Sequence, residues 1–592
     1  MLKKKIDWLT LNQDWFDREL SIQIRNALGP ASRTGMAYRW GLSAESGLAS
    51  DDLAMALSSR ACSWPLADSL HGDDLVIALH QWLIKRSDRL PIGRVDAALT
   101  VMLAAALPAL HQEVGEVEFV SLCNRLVSIH ADVMQYSDVS DPVYLLLGAE
   151  LGWMLHLLTG GDLVGNSRES SFRQAAEQAF SSWCENESDT IPRAIQGGKG
   201  ARLVLASLIR LQKLGLVRGL GAVQQSLWSD IGKQISQWVI GLSGQRGSTG
   251  FSVADSSMVK DDIVSDGLLD QAVNFDKECF ANARDAVVGK APKQPPLAWE
   301  VSLPETMMHD PKAKLAVMMA GWNVRSGRMH VDYHDSSAAL QLYNGKHLML
   351  SGSIDVDLHL NGQQVHSTAA WEEVCEYSDD DVHYLEVEQD WAENLVLQRQ
   401  FLLMREDRCV LFADAVLPKA VGQEVGEIRY RCRVPLSEKT AISEDDKIRE
   451  AVLTTAKRKS LCIPLESPEW RMGTTSCELS FSGDHHLILE SKGSHRLYTP
   501  LWFDFARRRL ARKRTWRQLT VADQLRLVKR SEAVGYRIQA GSEQWMIYRS
   551  LVAGDRTRTV LGKHLIADFY CARFDSGDGS YEELITVDDH EN

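Results

Sequence analysis

The chain has 592 residues, more than one hydrophobic core usually organises, so we expect two or more domains. Its apolar content of 45% and charged content of 24% are ordinary for a soluble globular protein. The net charge of −14 argues against a general nucleic-acid-binding protein, because such a protein would carry a basic surplus.

The N-terminal segment does not read as a signal peptide. Three lysines open it, but Asp7, Asn12 and Asp14 interrupt the stretch that would have to be apolar. The longest apolar run, 97–110, contains Pro108 and is too short to span a membrane. Ten cysteines are scattered without a CxxC pair, which favours free thiols in a reducing compartment. We therefore expect a cytoplasmic protein without a membrane span.

Residues 1–290 show helical periodicity. The clearest helix spans 142–158, because Asp141 can cap it, Pro142 suits its first position and Gly160 can end it. The other predicted helices are 73–85, 95–114, 118–135, 171–185, 200–215, 222–242 and 267–288, with a break or kink at Pro108. Several are apolar on more than one side, which favours an α/α toroid-like domain; a helical solenoid would give the same pattern.

The pattern changes after a proline-rich linker at 291–304. From residue 305 onwards apolar residues alternate with polar ones, and turn residues recur about every ten positions. Predicted strands include 354–360, 384–387, 395–403, 409–416, 428–434, 486–489, 534–539, 544–550 and 569–574. We therefore predict an α+β multidomain protein, with a helical domain at 1–290 and an antiparallel β-sandwich at 305–592.

His330, Asp332 and His334 occupy every second position of a predicted strand. Alternate side chains of a strand share one face, so these three groups are expected to project together. Two imidazoles and a carboxylate suit a divalent metal, zinc in particular, or proton sharing. A solvated strand face with unrelated polar residues gives the same spacing, so both readings stay open.

The residues that follow form a predicted hairpin. Ala338, Leu340 and Leu342 alternate with polar positions, Asn344-Gly345 is a strong turn signal, and 348–350 begin the return strand. This hairpin resembles the first hairpin of the β-domain of the heparinase II/III-like polysaccharide lyases. That family shows His-x-His-x-Asp, then a Ser, a strand, a Gly turn, an apolar run and Asp-x-Gly. Ser337, Gly345 and 348–350 match the pattern.

The resemblance implies an α/α toroid followed by a β-sandwich, and β-eliminating cleavage of acidic polysaccharides. It also implies a metal ligand at the Asp of Asp-x-Gly, but this chain has Ser351 there. The family's His-x-His-x-Asp becomes His330-x-Asp332-x-His334, so only the first His matches in type. Residues 1–290 lack the family's Asn-His pair. His330 and Tyr144 are the catalytic candidates that remain. The histidines of the helical region lie in or beside predicted amphipathic helices, where we expect a structural role: His71, His80, His111, His130 and His156.

A basic segment at 507–517 is the strongest local charge anomaly. Its cations are Arg507, Arg508, Arg509, Arg512, Lys513, Arg514 and Arg517. We expect the whole segment to lie on the surface and to pair with acidic groups. Its cations suit an acidic polysaccharide, a phosphate-rich partner or the protein's own acidic surface. Since the whole chain is acidic, pairing within the protein or with a partner protein fits at least as well as binding of nucleic acid.

Three functions fit these observations. The chain is an active polysaccharide lyase, a relative with weak or no catalysis that binds a glycan or protein partner, or a helical and β scaffold unrelated to sugars. We favour the second, because Ser351 and the missing Asn-His pair each remove a group that the chemistry uses. No cofactor is expected to be required, and any zinc at His330, Asp332 and His334 is expected to bind weakly.

Overall fold

The computed structural model describes residues 20–29, 36–42, 52–61, 70, 72–84, 93–160, 171–245, 249–251, 267–290, 299, 301–420, 422–524, 526–554 and 556–588. The chain forms two compact units, Met1–Pro304 and Glu305–Asn592. The first is helical and the second is built from antiparallel strands, which confirms the predicted fold class. Most of the predicted linker at 291–304 lies outside the described residues.

The helices of the first unit agree with the periodicity of the sequence. They are α1 Leu20–Leu28, α2 Met36–Arg39, α3 Asp52–Ala61, α4 Gly72–Ile84, α5 Arg94–Leu110, α6 Glu116–Val133, α7 Pro142–Tyr144, α8 Leu151–Leu158, α9 Ser171–Glu185, α10 Glu187–Ile195, α11 Ala201–Lys213, α12 Leu216–Gly219, α13 Ala222–Gly241, α14 Leu268–Ala272 and α15 Lys277–Val287. Helix α5 continues through Pro108 to its end at Leu110, so the predicted break at this proline is wrong.

The helix predicted at 142–158 begins as its sequence indicates. The Asp141 side chain accepts a hydrogen bond of 2.7 Å from the backbone N–H of Val143, and Pro142 follows the cap. A π-helical turn, Leu145–Glu150, lies between α7 and α8. Glu150 in this turn is wholly buried and forms a bidentate ion pair with Arg210 of α11, with one N–O distance of 3.0 Å. No pattern in the sequence indicates this pairing.

In the described part of the second unit, the strands form five antiparallel sheets. The first half comprises β1 Met307–Asp310, β2 Leu315–Met319, β3 Arg328–Asp332, β4 Ala339–Asn344, β5 His347–Ser353, β6 Asp355–Leu360, β7 Gln363–Val365, β8 Glu372–Ser378, β9 Val382–Trp391, β10 Leu395–Met404, β11 Cys409–Pro418, β12 Glu427–Pro435 and β13 Thr440–Glu444. The second half comprises β14 Ala451–Thr455, β15 Arg458–Pro464, β16 Cys477–Ser482, β17 His486–Ser494, β18 Leu497–Asp504, β19 Arg514–Leu519, β20 Val521–Asp523, β21 Arg526–Leu527, β22 Ala533–Ala540, β23 Glu543–Ser550, β24 Arg558–Val560, β25 Lys563–Leu565, β26 Phe569–Phe574 and β27 Tyr581–Val587, with the short helix α16 Arg507–Leu510 after β18.

An eight-stranded sheet, in the order β13-β14-β15-β18-β11-β10-β9-β8, is covered on both faces. Leu403 and Phe412 on one face join a core that also contains residues of β1–β5 and of the sheet β16-β17-β12-β6-β7. Leu402 and Trp502 on the other face join a second core with the sheet β19-β22-β23-β26-β27. The unit therefore has three layers of strands, one more than a simple sandwich.

The hairpin that joins β4 and β5 sits one residue later than predicted. Asn344 still belongs to β4 and pairs with His347, so Gly345 and Lys346 make the turn. Gly345 has a φ of 61°, a left-handed conformation in which glycine carries no Cβ penalty. No helix within the described ranges is long and apolar enough to cross a membrane. The cytoplasmic location stays a prediction.

Candidate functional site

Strand β3 sits between β2 and β4 and carries the first candidate residues. Met329 and Val331 point into the core that covers the eight-stranded sheet, and Tyr333 just after the strand joins them. Because side chains alternate along a strand, Arg328 and His330 point to the opposite face. The predicted alternation around His330 is therefore present.

A polar cluster forms on this opposite face, and we call Arg328, His330, Gln341, Tyr343 and Ser351 the β3–β5 cluster. The Nδ1 atom of His330 lies 3.3 Å from Oε1 of Gln341, its cross-strand neighbour on β4. The Tyr343 hydroxyl donates to the same oxygen at 3.3 Å. The Gln341 amide donates to the Ser351 hydroxyl on β5 at 3.2 Å. Ser351 therefore takes part in a hydrogen-bonded chain that leads back to His330.

Burial shifts the pKa of the three ionisable members of the β3–β5 cluster, His330, Tyr343 and Arg328. Desolvation, followed by the neighbouring Arg328 cation, lowers the pKa of His330 to about 3, so its imidazole is neutral at pH 7. Desolvation raises the pKa of Tyr343 to about 12 and lowers that of Arg328 to about 10. A proton acceptor, a protonated phenol and a cation thus lie together, but His330 is 0% exposed and Arg328 is 1% exposed.

The predicted metal triad is not assembled in this structure. Strand β3 ends at Asp332, so His334 lies beyond it and the expected common face stops one position short. Asp332 accepts from His334, with 2.6 Å between Oδ1 and Nδ1. Across the described ranges, the groups close enough to share a metal ion do not include His330, Asp332 and His334 together.

A different set of metal-type groups, which sequence spacing did not reveal, meets between β1 and β8. The Nδ1 atom of His309 lies 2.8 Å from Glu376 and 3.8 Å from Glu373, while its Nε2 atom lies 2.7 Å from the Tyr333 hydroxyl. More than sixty positions separate the imidazole from the carboxylates in the chain. Strands β1 and β8 belong to different sheets, so the packing of the two sheets brings these groups together. In this structure both nitrogens of the imidazole are already engaged within the protein.

The basic segment at 507–517 divides into a buried part and an exposed part. Arg509 is 0% exposed, and its guanidinium donates to Asp504 at 2.7 and 2.8 Å and to Glu543 at 2.8 Å. Arg514 is largely buried and pairs with Glu450 at 3.1 Å. The prediction that the whole segment lies on the surface is therefore wrong for these residues. The five cations that are exposed are Arg507, Arg508, Arg512, Lys513 and Arg517.

Tyr144, His130 and His156 of the helical unit are buried, whereas His80 is exposed and His111 is half-buried. Tyr144 ends α7 with 5% exposure, and desolvation raises the pKa of its phenol. His130 places Nδ1 2.9 Å from the carbonyl oxygen of Leu147, and burial lowers its pKa. Burial likewise lowers the pKa of His156 to about 4. These histidines are neutral and packed, as the structural interpretation of their helix positions predicts. His71 lies outside the described residues.

No family model matches the sequence, and no curated protein matches it. Solved structures do. Heparinase III aligns over 84% of this chain and 82% of its own, with 10% identity and a TM-score of 0.55. The heparan sulfate lyase HepC from Pedobacter heparinus aligns over 85% of this chain and 82% of its own, with 11% identity and a TM-score of 0.48. Chondroitin AC lyase from Streptomyces coelicolor A3 aligns over 92% and 90%, with 9% identity and a TM-score of 0.34. The fold assignment rests on the first of these matches, and it agrees with the family that the β4–β5 hairpin resembles: the chain has the heparinase III fold in a highly divergent sequence.

Proposed function

We propose that this protein binds an acidic, uronate-containing glycan and catalyses its β-elimination weakly or not at all. The fold supports a glycan ligand, since the heparinase and heparan sulfate lyase that align with the chain are named for acidic polysaccharides. The exposed cations of the basic segment support an acidic ligand, because they stand out from a chain of net charge −14. An acidic surface on a protein partner is the competing ligand.

The burial of His330 is the observation that carries the second half of the proposal. β-Elimination needs a base within hydrogen-bond reach of the proton next to the uronate carboxylate. The low pKa of His330 leaves its imidazole unprotonated at neutral pH, although it also makes this imidazole a weak base. Its side chain has no exposed surface, however, and Nδ1 faces Gln341 within the β3–β5 cluster. A polymer cannot reach this imidazole without a rearrangement of the strands around it.

The residues at the position of the family's metal ligand also support weak or absent catalysis. Ser351 stands where the resembling family offers an aspartate, and its hydroxyl accepts from Gln341. Asp332 and His334 bind each other. A zinc site needs three or four ligands that converge on one point, and these residues offer fewer.

An active lyase is the alternative function, and one observation favours it. Neutral His330, protonated Tyr343 and cationic Arg328 are the acceptor, the donor and the carboxylate neutraliser that a β-elimination uses. They lie on one sheet face, with 5.4 Å between the rings of His330 and Tyr343. If a substrate uncovers this face, the same residues become the catalytic set.

Calorimetric titration with size-defined heparan sulfate and chondroitin sulfate oligosaccharides tests the binding half. We expect saturable binding that weakens as salt concentration rises, because charge pairing drives it. Neutral dextran oligosaccharides of the same length are the control and should give no heat of binding. If the protein binds none of the acidic oligosaccharides but co-purifies with a second chain, the proposal is contradicted and the scaffold function is supported.

A further inference from the structure

A polar cavity lies in the β unit, away from the residues of the β3–β5 cluster. It forms where the loop after β15, strand β17, the start of β18 and the start of β22 meet, and its volume is about 360 Å³. That volume is within the range of ~300–1,000 Å³ usual for small-molecule sites. Its lining residues include Glu466, Lys492, Arg496, Gln518, Lys529, Arg530 and Tyr536. We call this cavity the Glu466 pocket.

The pocket carries a strong excess of positive charge. Four cations line it, namely Lys492, Arg496, Lys529 and Arg530, and Glu466 is its one carboxylate. Lys492, Lys529 and Arg530 are exposed, and none of them forms an ion pair with a carboxylate in the described part of the chain. Arg496 donates from Nη2 to the Gln423 carbonyl oxygen at 3.1 Å, which fixes its position and leaves its other N–H groups for a ligand.

Glu466 is held differently from an ordinary surface carboxylate. The Ser491 hydroxyl donates to its Oε2 atom at 2.7 Å, and the Ser476 hydroxyl lies 3.5 Å from Oε1. Desolvation raises the pKa of Glu466 to about 7, against the lowering effects of these hydroxyls, the Cys477 thiol and the Arg530 cation. A neutral carboxylic acid cancels none of the surrounding positive charge, and its O–H group can donate to an oxyanion.

The remaining groups that face Glu466 do not supply a competing anion at neutral pH. Burial raises the pKa of the Tyr536 phenol and of the Cys477 thiol well above their ordinary values, so both stay protonated. Tyr498 also lines the pocket, and burial raises the pKa of its phenol far above the ordinary value, so it too stays protonated. The other titratable groups around the pocket are the cations Lys492, Arg496, Lys529 and Arg530. The net charge of the pocket is therefore about +4 when Glu466 is protonated and about +3 when it is ionised.

We propose that the Glu466 pocket is a binding site for a small oxyanion, a carboxylate, sulfate or phosphate group, held by Lys492, Arg496 and Arg530. Two sources present this chemistry: an acidic sugar unit and a free inorganic anion. The hydroxyls of Ser476 and Ser494 and the Gln518 amide line the same cavity and suit a sugar that carries hydroxyl groups. The inference is independent of catalysis at the β3–β5 cluster and of polymer binding.

Binding should weaken as pH rises through 7. The protonated Glu466 donates to the oxyanion, whereas the ionised carboxylate repels it. Glu466→Gln retains the size of the side chain and keeps a donor at every pH. We therefore expect the variant to lose most of the pH dependence between pH 6 and 8 while it continues to bind.

The experiment is a calorimetric titration of the full chain with glucuronate, inorganic sulfate and neutral glucose. We expect the oxyanions to bind at least about tenfold more tightly than glucose, and the double variant Lys492→Gln/Arg530→Gln to lose about tenfold or more in affinity for them. A higher affinity for glucuronate than for sulfate would identify a sugar site, and equal affinities would identify a site for free anions. Both results support the oxyanion site. Lys459→Gln, an exposed lysine of β15 outside the pocket, is the matched control and should bind as wild type does.

Two results would overturn the proposal. Equal affinity for glucose and glucuronate would show that charge is not recognised. Unchanged affinity in Lys492→Gln/Arg530→Gln, with a wild-type unfolding temperature, would place any binding elsewhere. Because both side chains are exposed, this double variant should fold, and its unfolding temperature checks that directly.

Discussion

Asp332 Oδ1 lies 2.6 Å from Nδ1 of His334, and the same carboxylate oxygen also accepts the backbone N–H of His334 at 3.3 Å. The two residues thus close a short loop at the end of β3. A carboxylate and an imidazole that bind each other in this way are not available as ligands of a shared metal ion. This pairing explains why two of the three metal-type residues in the motif need no ion to be satisfied.

The first prediction concerns metal content. We expect purified protein to contain well under one zinc per chain, because His330, Asp332 and His334 do not converge on a common point. In the other metal-type set, both ring nitrogens of His309 are already hydrogen-bonded within the protein. The protein's unfolding temperature should not change with a chelator, since a structural zinc normally adds to the free energy of folding. Elemental analysis with and without chelation is the measurement. About one zinc per chain, lost in His330→Ala, would contradict this expectation.

The sequence predicted the order of elements well, because apolar residues repeat with a different period in helices than in strands. Asp141 and Pro142 mark the start of α7, and the alternation at Met329, His330 and Val331 correctly separates the faces of β3. These features depend on neighbours a few residues away. Helix α10, the π-helical turn before α8 and the third layer of strands were not predicted, because tertiary packing decides them.

The candidate site was predicted less well for the same reason. His330 was found from spacing, but its partner Gln341 and its complete burial follow from the register between β3 and β4. Glu466 and Arg530 lie sixty-four positions apart in the chain and meet only when the sheets stack, so neither drew attention in the sequence. Local patterns thus identified residue types, whereas sheet register decided which groups act together.

The second prediction concerns a buried ion pair in the central sheet. Arg399 and Asp414 are both 0% exposed and form two hydrogen bonds of 2.8 and 2.7 Å across β10 and β11. Arg399→Met leaves the Asp414 charge buried without its cation, which should destabilise the β unit by about 3–5 kcal/mol. Urea unfolding followed by tryptophan fluorescence measures this. Arg429→Met, which removes an exposed pair with Glu427, is the control and should cost under about 1 kcal/mol. Equal effects of the two substitutions would contradict the prediction.

The third prediction is a dependence of stability on pH from His383. Desolvation, followed by the Arg405 cation, lowers the pKa of this histidine to about 4. Its Nε2 atom lies 3.0 Å from the Met319 carbonyl oxygen and its Nδ1 atom 2.9 Å from the Ser378 hydroxyl, an arrangement that suits the neutral ring. Between about pH 6.5 and pH 4, this histidine therefore binds a proton in the unfolded chain but not in the folded chain. Stability present above pH 6.5 is lost as pH falls through this window, by up to about 3 kcal/mol.

Unfolding midpoints in urea at pH 7 and pH 4.5 test the role of His383. His383→Gln should narrow the difference between the two midpoints, while other buried histidines such as His156 and His330 preserve part of it. The exposed His564 offers the control, and His564→Gln should leave the difference unchanged. The prediction fails if His383→Gln and wild type lose the same stability on acidification.

The fourth prediction separates binding from stability within the basic segment. Arg507 and Lys513 are exposed, so Arg507→Ser/Lys513→Ser should weaken binding to an acidic oligosaccharide and flatten its salt dependence without a change in unfolding temperature. Arg509→Ser should lower the unfolding temperature, because it leaves Asp504 buried without its cation and removes the guanidinium that lies 5.0 Å from the Trp545 ring. Unchanged affinity of Arg507→Ser/Lys513→Ser at low salt would exclude the segment as a recognition surface.

The central claim is that this heparinase III fold binds an acidic glycan with weak or no β-elimination, because its candidate base is buried. The most direct measurement is the ultraviolet absorbance of unsaturated uronate during long incubation of the protein with heparan sulfate and with chondroitin sulfate. We predict no increase above that of His330→Ala at concentrations where calorimetry shows binding. A steady rise in absorbance that is lost in His330→Ala would contradict the claim, and would show that a substrate uncovers the β3–β5 cluster and uses it for catalysis.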